Sequence, residues 1–140
     1  MLLKDLSKRE LDAFMKLLID FISADNKISK TEKSILEEFK NTIQYKVEEA
    51  EKFTYEEAVE IIAQSSLRNK KIVYFELLGV ALVDGEYETS EVEFLENLSI
   101  RFEIDRSTKF AFANYYYDFD KLQTLPEDEL ELAEKNLIGD

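Results

Sequence analysis

The sequence predicts an all-α domain of about seven helices, built on two pseudo-repeated helical hairpins. Its 140 residues contain only three glycines and one proline, too few for a protein rich in the tight turns that connect β-strands. Apolar side chains recur at helical spacing along most of the chain, and one stretch recurs 59 residues later. Since 45% of the residues are apolar, we expect one domain with its own core over residues 1–140.

Capping boxes mark the predicted starts of the first helices. In a capping box, a Ser or Thr side chain and a Glu three residues later satisfy each other's free backbone N–H groups. Three such pairs precede amphipathic stripes: Ser7 with Glu10, Ser29 with Glu32, and Thr54 with Glu57.

The second half of the chain predicts four further helices. Residues 67–83 are apolar on every side in their later part, which is typical of a helix in the middle of a domain. Helices follow at about 89–102, 107–120 and 125–137, the last with Pro126 in its first turn. The apolar run 72–83 is shorter than the roughly twenty residues of a membrane span, so we expect a cytoplasmic protein without membrane insertion.

An internal repeat relates residues 17–39 to residues 77–98. It places Asp25 on Asp84 and Glu32 on Glu91. Each copy reads as a helix, a short link that begins with Asp followed by Asn or Gly, and a second amphipathic helix. Asn and Gly are the residues that best accept the left-handed conformation at a helix end. We therefore expect two related helical hairpins.

The charge is concentrated in the second half of the chain. The net charge is −13, and residues 72–140 hold 17 Asp and Glu against 5 Lys and Arg. Such a field repels nucleic acid and attracts cations or a protein partner with a basic surface. The absence of His and Cys removes imidazole catalysis, thiolate metal sites and disulfides.

The two repeated corners are candidate cation sites. The second corner does not fit a calcium-binding EF-hand, because the first two ligand positions of such a loop would be Val80 and Leu82. Two interpretations remain: the carboxylates cap helices and are solvated, or they converge on calcium, magnesium or manganese, which prefer oxygen ligands. The candidate ligands are Asp84, Glu88 and Glu91, and, in the lysine-diluted first corner, Asp25 and Glu32.

This pattern resembles the TerB-like (tellurite-resistance) family over about residues 10–120. The residues that carry the resemblance are Asp84-Gly85, Tyr87 and Glu91, and more loosely Asp25-Asn26, Ile28, Ser29 and Glu32. The resemblance implies a helical bundle with pseudo-twofold symmetry, metal-binding acidic corners, no enzymatic activity and an association with stress response. Asn26 and the lysines near the first corner depart from the family pattern.

The aromatic segment 109–119 is a candidate interface for a partner or a second copy of the chain. Its helical spacing places Phe110, Ala113 and Tyr117 on one face, which we expect to enter the core. The other aromatic side chains are then expected at the surface: Phe112, Tyr115, Tyr116 and Phe119. Exposed tyrosines are enriched at interfaces. The candidate partner-binding residues are Glu86, Glu93, Tyr115 and Tyr116.

These observations favour a non-enzymatic module that binds divalent cations, protein partners or both. The alternative is an acidic interaction protein whose second half docks on a basic partner or mimics nucleic acid. A carboxylate-based hydrolase comes third, because it needs a buried carboxyl with a raised pKa. We expect the acidic residues of capped first turns to be solvated instead.

Overall fold

The computed structural model describes residues 2–23, 30–43, 45–83, 89–118 and 125–139 and confirms the all-α class. Within these ranges the chain forms no strand. It begins with a 3-10 helix at Leu2–Asp5. Eight α-helices follow in the described ranges: α1 (Lys8–Ile22), α2 (Lys30–Ile43), α3 (Val47–Ala50), α4 (Tyr55–Ala63), α5 (Leu67–Val83), α6 (Thr89–Arg101), α7 (Arg106–Tyr117) and α8 (Glu127–Ile138).

Two of the three predicted capping boxes are confirmed. Ser7 accepts a hydrogen bond from the backbone N–H of Glu10, whose carboxylate accepts one from the Ser7 N–H at 2.9 Å. Thr54 and Glu57 make the same reciprocal pair at the start of α4. The third box begins at Ser29, which lies outside the described residues, although α2 begins at the next residue.

The 59-residue offset is present in the helix starts. Helices α1 and α5 begin at Lys8 and Leu67, α2 and α6 at Lys30 and Thr89, and α3 and α7 at Val47 and Arg106. In each pair the second number exceeds the first by 59. The equivalence therefore extends beyond the predicted hairpins and includes a third helix in each copy, although α3 is much shorter than α7.

Hydrogen bonds at the helix ends repeat with the same offset. Ser66 accepts a bond from the Asn69 N–H at 3.1 Å, as Ser7 does from Glu10 at 3.2 Å. The backbone hydrogen bonds that end α2 and α6 are also equivalent. Tyr45 N–H donates to Lys40 O, and Ile104 N–H donates to Ser99 O, both at 2.9 Å. Such bonds, from the N–H of one residue to the carbonyl five residues earlier, end many helices. Glu103, which precedes Ile104, has the left-handed φ of 57° that accompanies such an end.

Helix α5 is the centre of the fold, as its all-round apolar pattern predicts. Every residue from 72 to 81 is buried, and the helix packs against α1, α4, α6, α7, α8 and the 3-10 helix. The most extensive helix contact is between α1 and α4. In the part of the chain that the structure describes, no helix is long and apolar enough to cross a bilayer.

The last two helices differ from their predicted starts. Helix α7 begins one residue early because the Asp105 carboxylate accepts a hydrogen bond from the Thr108 N–H at 2.8 Å and caps it. Helix α8 begins two residues late, and Pro126 lies at its N-cap rather than in its first turn.

Candidate functional site

The acidic second corner lies between α5 and α6. Helix α5 ends at Val83 and α6 begins at Thr89. The five residues between them include Asp84, Glu86 and Glu88, which lie outside the described residues. The fourth carboxylate of the corner, Glu91, is in the first turn of α6.

Glu91 is buried, with only 4% of its surface exposed. The expectation of a solvated carboxylate in this first turn was therefore wrong. A carboxylate is costly to bury unless neighbouring dipoles or charges stabilise it, and the N-terminus of a helix supplies part of that stabilisation. The local sequence could not reveal this burial, because it depends on how α6 packs against the rest of the domain.

The first corner lies between α1 and α2. Asp25 lies outside the described residues. The backbone of Glu32 belongs to α2, but its side chain is not among the described parts of the structure. Lys33, next to Glu32, is exposed.

The described residues contain no group of three acidic side chains placed to hold a metal ion. Three of the four carboxylates at the second corner lie outside the described residues, so this absence does not extend to them. Calcium, magnesium or manganese binding by Asp84, Glu88 and Glu91 therefore stays a prediction.

The predicted orientation of the aromatic helix α7 was wrong. Phe110 and Tyr117 are 60% and 71% exposed, whereas Phe112 is fully buried. Tyr115 and Tyr116 are half-buried, and their rings pack on Phe75 of α5 with centroids 5.3 and 4.9 Å away. Because α7 is aromatic on both faces, its own spacing could not decide which face enters the core.

The hydroxyl groups of these two tyrosines bond inward. The Tyr116 hydroxyl donates to the Phe75 carbonyl oxygen at 3.0 Å, and the Tyr115 hydroxyl donates to Glu134 at 3.0 Å. Neither therefore presents the freely exposed ring that was predicted for partner binding. The candidate Glu93 is exposed on α6, and its role in partner binding stays a prediction.

A buried acidic cluster lies where α5 meets α7, α8 and the 3-10 helix. Glu76 is 7% exposed, and its Oε1 atom has no hydrogen-bond partner. Burial, reinforced by the nearby negative charge of Glu134, raises the pKa of Glu76 to about 8. Burial also raises the pKa of Glu134 above its ordinary value, against the lowering effect of the Tyr115 hydrogen bond.

The sequence contains one signal for this cluster. Glu76 is the only charged residue in the apolar run 72–83 of a helix that is apolar on every side. Its acidic neighbour Glu134 follows 58 residues later and could not be assigned to it without the packing of α8. The raised pKa meets one requirement for acid–base catalysis, and the carboxyl itself is buried in this packing.

The chain matches no protein-family model, no curated protein and no solved structure. The likeness to the TerB-like family thus depends on the residues of the two corners.

Proposed function

We propose that this protein is a non-enzymatic, TerB-like module that binds a divalent cation at the corner between α5 and α6. Asp84, Glu88 and Glu91 are its ligands, and the cation is calcium, magnesium or manganese, because all three carboxylates are hard oxygen donors. The family resemblance associates such a module with stress response.

The observation that carries the proposal is the burial of Glu91. A carboxylate held against the domain has already lost most of its side-chain freedom, so less entropy remains to be lost when it binds a cation. Asp84, Glu86 and Glu88 fall within the five residues just before α6. This combination of one buried carboxylate and three sequence neighbours supports a site more than a run of solvated charges would.

The internal repeat supplies a natural comparison. Its equivalent corner, between α1 and α2, keeps Asp25 and Glu32 but places Lys27, Lys30 and Lys33 around them. Positive charges this close reduce the local concentration of cations. We therefore place the stronger site at the second corner.

Thermal melts with calcium, magnesium, manganese and zinc test this function. A ligand at one hundred times its Kd contributes about 2.7 kcal/mol, which raises the Tm of a domain this size by about 8–10 °C. We expect one of the oxygen-preferring metals to produce such a shift, and the double variant Asp84→Asn/Glu91→Gln to abolish it.

The charge-matched control is Asp25→Asn/Glu32→Gln at the first corner, which should retain the shift. If every metal gives the same small shift in all three proteins, the cations only screen the net charge and the cation site is refuted. The alternative is then favoured: an acidic protein that docks on a basic partner. Its support is the exposed carboxylates of Glu93 and of the first turn of α8, Glu127, Asp128 and Glu129.

A further inference from the structure

Helix α8 is attached to the domain by few apolar contacts. Of its residues, Ile138 alone is fully buried, and Leu132 is 58% exposed. The helix packs on α5 and on the 3-10 helix. Three polar interactions also hold it. Tyr115 donates a hydrogen bond to Glu134 at 3.0 Å, Lys71 donates one to the Ile138 carbonyl at 3.5 Å, and Lys4 forms a salt bridge with Glu131 at 2.5 Å.

Beneath this weakly attached helix lies the acidic pair of Glu76 and Glu134. Glu76 comes from α5 and Glu134 from α8. Glu134 accepts a hydrogen bond from Tyr115, whose ring packs on Phe75, the neighbour of the buried Glu76, so docking brings the two carboxyl groups near each other. Two like charges cannot both ionise there without a large penalty. The internal repeat places Leu17, a fully buried leucine, at the position equivalent to Glu76. The first copy of the repeat therefore has an apolar side chain where the second has a carboxyl.

The groups around the pair do not cancel its charge. From α7, Tyr115 and Tyr116 both have raised pKa values, chiefly through burial, so their hydroxyls stay neutral. On α8, Glu131 adds a negative charge, but it pairs with Lys4 and Lys135. Lys71 reaches the end of α8 at the Ile138 carbonyl. The positive amino terminus of the chain lowers the pKa of both acids, but less than burial raises it.

We propose that α8 is a pH-sensitive cover, docked over Glu76 while the acidic pair holds a proton and released when both carboxyl groups ionise. Release lets water reach both carboxylates and uncovers the faces of α5 and of the 3-10 helix on which α8 packs. The device is independent of the proposed cation corner, which lies beyond the C-terminal end of α5.

The direction of the effect follows from the raised pKa. Docked Glu76 keeps its proton up to about pH 8, whereas a solvated Glu loses it near the ordinary value of 4.5. Between these values the docked form binds more protons than the released form. The docking constant therefore falls about tenfold per pH unit in this window and levels off above it.

Spin-label distances test the proposal directly. The chain contains no cysteine, so Ile100→Cys on α6 and Leu132→Cys on α8, both exposed, take one label each. We expect a single docked distance at pH 5 and a growing, broader population of other distances up to pH 9. A docked fraction that stays constant from pH 5 to pH 9 would overturn the proposal.

Three substitutions in the labelled protein separate the acidic pair from general charge repulsion. Glu76→Gln keeps the shape of the protonated carboxyl and should keep α8 docked to a higher pH than in the native protein, as should Glu76→Leu, which copies Leu17. Glu129→Gln neutralises an exposed carboxylate of α8 and should leave the native pH profile unchanged. If Glu76→Gln keeps the native profile, or if Glu129→Gln removes it, the pair is not the switch.

Discussion

Gly79 is required because a tyrosine ring occupies the place of its missing side chain. A Cβ atom added at Gly79 would lie 2.5 Å from the Tyr116 ring and hydroxyl. This close approach lets the Tyr116 hydroxyl reach the Phe75 carbonyl one turn earlier in α5. Glycine in a helix interior normally costs about 0.5–1 kcal/mol relative to alanine, so its presence here is explained by packing.

Gly79→Ala should therefore destabilise the protein, opposite to the usual effect in a helix. Overpacking that displaces a fitted side chain costs about 1–3 kcal/mol, which outweighs the gain in helix propensity. Urea denaturation of the native protein and the variant measures the difference. In a Tyr116→Ala background the same substitution should be neutral or stabilising, and an equal loss in both backgrounds would contradict this account.

At the scale of the helices, Glu10 joins the two copies of the repeat. It caps α1 through Ser7, and it also accepts hydrogen bonds from Ser65 and from the Asn69 side chain, the latter at 3.0 and 3.2 Å. Burial alone would raise the pKa of Glu10, but these hydrogen bonds together hold it below its ordinary value. Glu10 and Asn69 are equivalent positions in the repeat, so these hydrogen bonds join equivalent points of α1 and α5.

Glu10→Ala should cost more stability than Glu57→Ala, although both residues are the third in a capping box. Loss of the box costs about 1 kcal/mol, and hydrogen bonds to a charged group add about 1.5–3 kcal/mol. For Glu57, the described structure records only the capping bonds with Thr54. Denaturant unfolding of the two variants compares them, and equal losses would show that the contact between α1 and α5 contributes little.

The helices show which parts of the fold can be predicted from sequence. The boxes at Ser7 and Thr54 are local hydrogen-bond patterns, so residues three apart suffice to predict them. The orientation of α7 was mispredicted because it depends on Phe75, which is far away in sequence. Phe112 and Tyr116 turn inward because their rings pack on Phe75. The cap at Ser66 was missed because Asn69 does not complete a box: its side chain bonds to Glu10 instead.

In the candidate site, too, the local features could be predicted from sequence and the features that depend on packing could not. The acidic composition and repeated position of the second corner are sequence properties and were predictable. The burial of Glu91 and the pairing of Glu76 with Glu134 depend on packing between helices, which no short pattern encodes.

At the scale of the whole molecule, stability depends on pH through two opposed sets of carboxyl groups. Glu76 has a raised pKa, so the native state binds more protons than the unfolded state between pH 4.5 and about 8. Stability therefore falls as the pH rises through this window. Glu10 has a lowered pKa, so its contribution is present above the ordinary value of 4.5 and is lost as the pH falls below it.

Together these groups place the maximum of stability at about pH 5, at the acidic end of the usual range. The shift of Glu76 from 4.5 to about 8 corresponds to a loss on the order of 5 kcal/mol by pH 9, if α8 stays docked. Release of α8 would reduce this loss, because a released helix leaves Glu76 closer to water. Glu76→Gln should make the decline above pH 5 shallower, leaving the contribution of Glu134, and should retain the decline at lower pH. Urea unfolding at unit intervals from pH 4 to pH 9 measures both profiles, and a native protein whose stability rises from pH 5 to pH 8 would show that Glu76 is ionised at little cost.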